Sequence, residues 1–153
     1  MKQSKPSDLL IMVADSNEKS RELMCDALER FGIEHIVCAE SAGKVIEISN
    51  ALCEKQKLLS MLFCNDNILD MSPSDFISWL APQHPGLISI SYSECTAPEA
   101  HLMSLMTPGV VDHIEQTEEF ESSITVVFNR WLGAAKLTLD YRNRYGTESR
   151  QCA

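Results

Sequence analysis

The run Leu58-Leu59-Ser60-Met61-Leu62-Phe63-Cys64 is apolar except for one serine and stops abruptly at Asn65-Asp66-Asn67. So short an apolar run, without polar and apolar residues in alternation, suits a strand covered on both faces, as in a parallel sheet between two layers of helices. In such sheets ligands gather at the carboxyl ends of the strands. Position 65 is therefore the first place to look for chemistry, and the residue there is an amide, not an acid.

The same grammar recurs along the chain. Leu9 to Ala14 is a second apolar run, ending at Asp15-Ser16-Asn17. Leu23, Met24, Ala27, Leu28 and Phe31 follow at helical spacing, Gly32 stops the helix, and Asp15, Ser16 or Asn17 can cap it. A short strand lies within Ile33 to Ala39, and a helix from Ser41 carries Val45, Ile48 and Leu52. Beyond the opening run, Phe76, Ile77, Trp79 and Leu80 mark a short helix that the Ala81-Pro82 step ends. Leu87 to Ser91 reads as strand four, Pro98 opens a helix with Leu102, Leu105 and Met106 inward, and Pro108-Gly109 closes it. Val110 to Ile114 is strand five, and a last helix begins near Thr117 with the stripe Phe120, Ile124, Val127, Phe128, Trp131, Leu132 and Ala135. Five strands alternating with five helices through short loops predict an α/β fold, a doubly wound parallel sheet with right-handed crossovers.

The 153 residues suit one domain, taken as residues 8–135, with an N-terminal extension 1–7 and a tail 136–153. The tail carries Leu137, Leu139, Tyr141 and Tyr145 among arginines, and reads as a helix leaving the domain toward a second copy or an output domain, or else as a frayed end. With 22 acidic against 13 basic residues the net charge is −9, which disfavours nucleic acid and anionic lipid as partners of this domain. The six cysteines are scattered without a C-x-x-C pair and read as free, mostly buried thiols. No apolar stretch approaches the ~20 residues of a membrane span, and the N-terminus lacks the apolar core of a secretory signal, so a cytoplasmic protein is expected. His84, His101 and Cys95 lack metal-ligand spacing and are assigned to the surface. Ala42-Gly43-Lys44-Val45 lacks the rest of a phosphate loop.

On this topology Asp15 and Ser16, Asn65, Ser91 and Gln116 converge at one sheet edge. Here the chain resembles a known family. Arg21 to Gly32, Asn65 to Phe76, and Gly109-Val110-Val111-Asp112-His113 are similar to the receiver domain of two-component response regulators, over about residues 8 to 135. The resemblance implies a flavodoxin-like (βα)5 sheet in the order 2-1-3-4-5. It also implies a pocket with two acids after strand one, a phosphate-accepting aspartate after strand three, a hydroxyl after strand four and Lys-Pro after strand five. The carboxylates would bind Mg²⁺, the hydroxyl would hold the phosphoryl group and the lysine would neutralise it.

Aligned so, this sequence keeps Asp15 but has Ser16 for the second acid, Asn65 for the acceptor, Ser91 for the hydroxyl, and Gln116-Thr117 for Lys-Pro. An amide oxygen is a poor nucleophile toward phosphorus and a weaker metal ligand than a carboxylate, so the expectation is a degenerate pocket: no enzyme, no cofactor, and Mg²⁺ binding weak or absent. Function would pass through protein contacts, as an input or dimerisation domain or a single-domain regulator. By resemblance the partner face is built from the helix opened by Pro98, strand five and the last helix, with His113 and Trp131 as its candidates. Two alternatives stay open: a phosphorylatable receiver using Asp66, although strand alternation turns Asp66 away from the pocket, and a small-ligand sensor using the vacated edge.

Overall fold

The structure, a computed structural model, describes residues 3–94 and 106–146. Five strands, β1 (Leu10–Ala14), β2 (His35–Ala39), β3 (Met61–Asn65), β4 (Ile88–Ser93) and β5 (Val110–Glu115), form one sheet in the order β2-β1-β3-β4-β5, every pair parallel. The described helices are α1 (Glu18–Arg30), α2 (Ala42–Glu54), α3 (Pro73–Leu80) and α4 (Phe120–Tyr145). The helix expected from Pro98, with His101 and Cys95 beside it, falls outside the described residues. Fold class and strand order are those expected, and the topology is flavodoxin-like.

Each local choice in the sequence has its counterpart. Asn17 caps α1 by accepting from the Ser20 amide at 2.9 Å, Ser41 caps α2 through the Lys44 amide at 3.1 Å, and Ser72 caps α3 through the Asp75 amide at 3.2 Å with Pro73 in the first turn. Gly32, at φ 85°, ends α1 in the left-handed region that favours glycine. Side-chain alternation along the strands splits the core in two. Ile11, Val13, Met61, Phe63, Ile90 and Tyr92 pack under α1 and α4, whereas Met12, Ala14, Leu62 and Cys64 pack under α2 and α3. β3, fully buried along its length, is the central strand that its apolar run predicts.

The outer strands differ from expectation in ways that matter for the site. β4 runs two residues past Ser91, and the β4–β5 register slips between Ser89 and Ile90, so that Val111 is an extra residue in β5. His84, assigned above to the surface, is fully buried. Its Nδ1 accepts from the Leu59 amide at 2.9 Å, which leaves Nε2 to carry the proton toward Ser49 Oγ at 2.8 Å. The flanking prolines mark a loop correctly but say nothing of its depth.

At residue 135 the tail continues the last helix, the first of its two readings. α4 passes that position without a break, and its last turns fold down along the domain. Arg142 is buried and its guanidinium donates to the carbonyls of Leu59 (3.0 Å) and Pro85, while Asp140 accepts from the amide and hydroxyl of Ser4 at 2.8 and 2.5 Å. Gly86, at φ 84°, lies where a Cβ would come within 2.6 Å of Thr138, so glycine is needed there on two counts. The extension and this part of the tail are thus pinned at the amino end of the sheet, opposite the candidate site.

Candidate functional site

Asp15 follows β1 directly and is fully buried, and Asn65 closes β3 beside it. Five donors converge on the Asp15 carboxylate. Oδ1 accepts from the Asn17 amide at 2.9 Å and from Asn67 Nδ2 at 2.7 Å. Oδ2 accepts from Ser20 Oγ at 2.5 Å, Tyr92 Oη at 2.6 Å and Asn65 Nδ2 at 3.3 Å. Buried charge is costly unless it is hydrogen-bonded, and here uncharged donors fill that need.

The next ring of contacts is equally self-consistent. Asn65 sends its other amide hydrogen to Gln116 Oε1 at 2.9 Å, and its own Oδ1 accepts from the Asn67 amide at 3.0 Å. Gln116 Nε2 donates to Ser20 Oγ at 2.6 Å, leaving the Ser20 hydroxyl hydrogen free for Asp15. Ser16 joins the loops after β1 and β3: its amide donates to Asn67 Oδ1 at 2.9 Å and its hydroxyl to the Asn67 carbonyl at 3.0 Å. Asn65 must both donate twice and accept, and Gln116 must both donate and accept. Amides do this, whereas a carboxylate or an ammonium cannot.

The structure therefore brings Asp15, Ser16, Asn65 and Gln116 together, and Ser91 it does not. Because β4 continues to Ser93, the residue opposite Asn65 is Tyr92, and Ser91 projects from the other face. Ser91 Oγ meets His113 Nδ1 at 2.6 Å there, and Ser93 Oγ meets Nε2 at 3.2 Å. His113, one of the two partner-face candidates, is itself buried. Trp131, half-buried on α4, donates from Nε1 to Asp112 Oδ2 at 2.9 Å, and Arg130 reaches the same oxygen at 2.5 Å.

Ser20, Asn67 and Tyr92 are members of the site that sequence reasoning missed. Tyr92 had a signal, since Ile88, Ile90 and Tyr92 form an alternating series on one face. Burial and the neighbouring Asp15 charge push its phenol well above the ordinary range, so it stays a donor. Cys64, beneath the same charge, is likewise held as a thiol by burial.

Over the ring lies an open recess of about 460 Å³ lined by Ser16, Asn17, Ser20, Asn65, Asp66, Asn67, Glu94 and Gln116. Asp66 stands on its rim: β3 ends at Asn65, so strand alternation no longer dictates where Asp66 points. Partial burial, then Glu94 and Asp15, raise its carboxyl above the usual range. Among the described residues, two acids and no lysine or arginine line this recess.

The loop after β3 is tied at its far end by Asp70, whose two oxygens accept from the Ala42 and Gly43 amides at 2.9 Å each, at the start of α2. Those amides hold its carboxyl below the usual range. A depressed folded-state pKa means that the tie is present above the unfolded value of about 3.9 and is lost as pH falls through the lower folded value. The amide proton shifts of Ala42 and Gly43 should accordingly stay constant from pH 7 to pH 5 and move together at more acid pH. Shifts that move near pH 6 would show that another group holds them.

No sequence-family model matches the chain, and no curated protein matches it by sequence. Solved structures do match. A response regulator receiver domain protein from Clostridium thermocellum superposes with a TM-score of 0.67 at 15% identity, over 85% of this chain and 98% of that one. A CheY-like receiver domain protein from Methanospirillum hungatei gives 0.65 at 15% identity, over 84% and 97%. A putative pilus assembly-related protein from Burkholderia pseudomallei gives 0.65 at 18% identity, over 88% and 95%. The fold of this chain is that of the response regulator receiver domains.

Proposed function

We propose that this chain is a receiver-like signalling module, a pseudo-receiver that works through protein contacts and takes up no phosphate. The observation that carries the reading is the Asp15 carboxylate, both oxygens of which are occupied by N–H and O–H donors. A cation of the Mg²⁺ class needs about six oxygen ligands in near-octahedral array. The residues present do not fit it: both Asp15 oxygens already accept from two or three N–H and O–H donors, and Asn65 and Gln116 contribute no charge. A phosphoryl group fares no better, since Asp66 and Glu94 repel a dianion and, among the described residues, no cation lines the recess to neutralise it.

The partner is a protein: a fused output domain, a second copy or a separate regulator. Its contact surface on this reading includes β5 and α4, where Val111 and Val126 are exposed beside the Asp112, Arg130 and Trp131 cluster. Neither nucleic acid nor membrane is expected to bind this acidic domain, and among the described residues no helix is long and apolar enough to cross a membrane.

Incubation with acetyl phosphate and Mg²⁺ tests the proposal. The intact mass should not change, and beryllofluoride should leave the tryptophan fluorescence unaltered. A gain of about 80 Da that disappears in Asp66→Asn would instead establish the recess-rim aspartate as an acceptor.

A further inference from the structure

Two thiols that take no part in the Asp15 hydrogen bonds lie together at the edge of the sheet. Cys25 projects from α1 and Cys38 from the edge strand β2, and their sulfurs are 3.0 Å apart. Cys38 is exposed and Cys25 half-buried, in contrast with the buried Cys53 and Cys64. Cys25 packs at the margin of the core under α1, whereas Cys38 on the edge strand is exposed, and each thiol hydrogen-bonds the other.

We propose that Cys25 and Cys38 form a thiol-oxidation site at which hydrogen peroxide closes an intramolecular disulfide, bolting α1 to the edge of the sheet. The geometry needs little change, since a disulfide spans about 2.05 Å and the sulfurs have only about 1 Å to close. The two sulfurs are also electronically unequal. The hydrogen bond between the two sulfurs, in which either can donate, and the Arg21 guanidinium lower the Cys38 pKa to about 7. Cys25, with Cys38, Glu29 and Asp26 around it, is pushed up and keeps its proton.

Cys38, the more exposed of the two and the one the Arg21 guanidinium acts on, is the attacking sulfur. Its thiolate electron pair displaces hydroxide from the peroxide oxygen, breaking the O–O bond. The hydroxide takes a proton from solvent, and Cys38 becomes a sulfenic acid. The Cys25 sulfur then attacks the Cys38 sulfur, the S–O bond breaks, and the hydroxyl leaves as a second water with the proton that Cys25 releases. Two thiols lose two electrons and the peroxide gains them, with two waters formed.

The test uses the reduced full chain treated with hydrogen peroxide, denatured, alkylated and mapped by mass spectrometry. The expected product is one Cys25–Cys38 linked peptide about 2 Da lighter than its two reduced halves, with Cys53 and Cys64 fully alkylated and dithiothreitol restoring both thiols. Cys38→Ser should slow thiol loss about tenfold, and Cys25→Ser should leave a sulfenate at Cys38 that dimedone traps. The proposal is overturned by linkage between other cysteines, by Cys25 and Cys38 oxidising no faster than free glutathione, or by a sulfenate on Cys25 in the wild type. The wild-type map decides the matter even where a variant folds poorly.

Discussion

Replacing Asn65 with aspartate should destabilise the protein by about 4 kcal/mol at neutral pH. The Asn65 amide donates to Asp15 Oδ2 at 3.3 Å and to Gln116 Oε1 at 2.9 Å. A carboxylate has no hydrogen for either. It would place a second negative charge against Asp15, and like charges ~4 Å apart at an effective dielectric of ~20 repel by about 4 kcal/mol. Each lost hydrogen bond adds about 1 kcal/mol, partly offset if Gln116 turns its amide round to donate.

The pH dependence has a definite sign. Repulsion raises the pKa of the introduced carboxyl in the folded state above its unfolded value of about 3.9. Between those two values the native state binds more protons than the unfolded one, so stability falls as pH rises through the window. The penalty is full at pH 7 and fades on acidification. Urea midpoints of Asn65→Asp and wild type should therefore differ widely at pH 7 and converge toward pH 4. Adding Gln116→Lys supplies a cation beside both carboxylates and should recover at least half of the loss. A variant as stable as wild type at pH 7 would mean that the Asp15 ring is not what organises this edge.

The contrast between what the sequence made legible and what it did not follows from range. Strands and helices are written locally: β3 announces itself by seven nearly unbroken apolar residues, and α1 by its stripe with Asn17 ahead and Gly32 behind. The convergence of Asp15, Ser16, Asn65 and Gln116 followed from topology alone, because parallel strands deliver their carboxyl ends to one side. Ser91 failed because the last expected strand residue was placed opposite Asn65, whereas Tyr92, one residue on, continues the Ile88 and Ile90 series on the face that Asn65 shares. Ser20 and Asn67 were invisible for another reason. Each acts through a hydrogen bond to Asp15 whose meaning depends on a neighbour absent from its own stretch: Asn67 lies 52 residues from Asp15, and Ser20 also answers to Gln116, 96 residues away. His84 is the same case in the core, its partners Ser49 and Leu59 lying 35 and 25 residues distant.

Arg142→Ala should destabilise the full chain by about 3 kcal/mol while leaving the Asp15 ring intact. The guanidinium is 8% exposed and bridges the Leu59 carbonyl, just before β3, and the Pro85 carbonyl, in the loop before β4. It thereby ties the end of α4 to the entry points of two central strands. Alanine leaves both carbonyls without that partner, at about 1–3 kcal/mol each, and the total is moderated because a buried charge is removed as well. Arg142→Lys, a single point donor, reaches one carbonyl where the fork reaches two, and should lose about half as much. Arg144, on the exposed side of the same turn, supplies the control: Arg144→Ala should stay within about 0.5 kcal/mol of wild type. Urea unfolding of the three variants ranks them. Equal losses at 142 and 144 would mean that α4 leaves the domain near Ala135 after all. The predicted ranking makes residues 136–142 part of the folding unit, so that any partner reached through the end of α4 is held at a fixed orientation to the sheet instead of through a flexible joint.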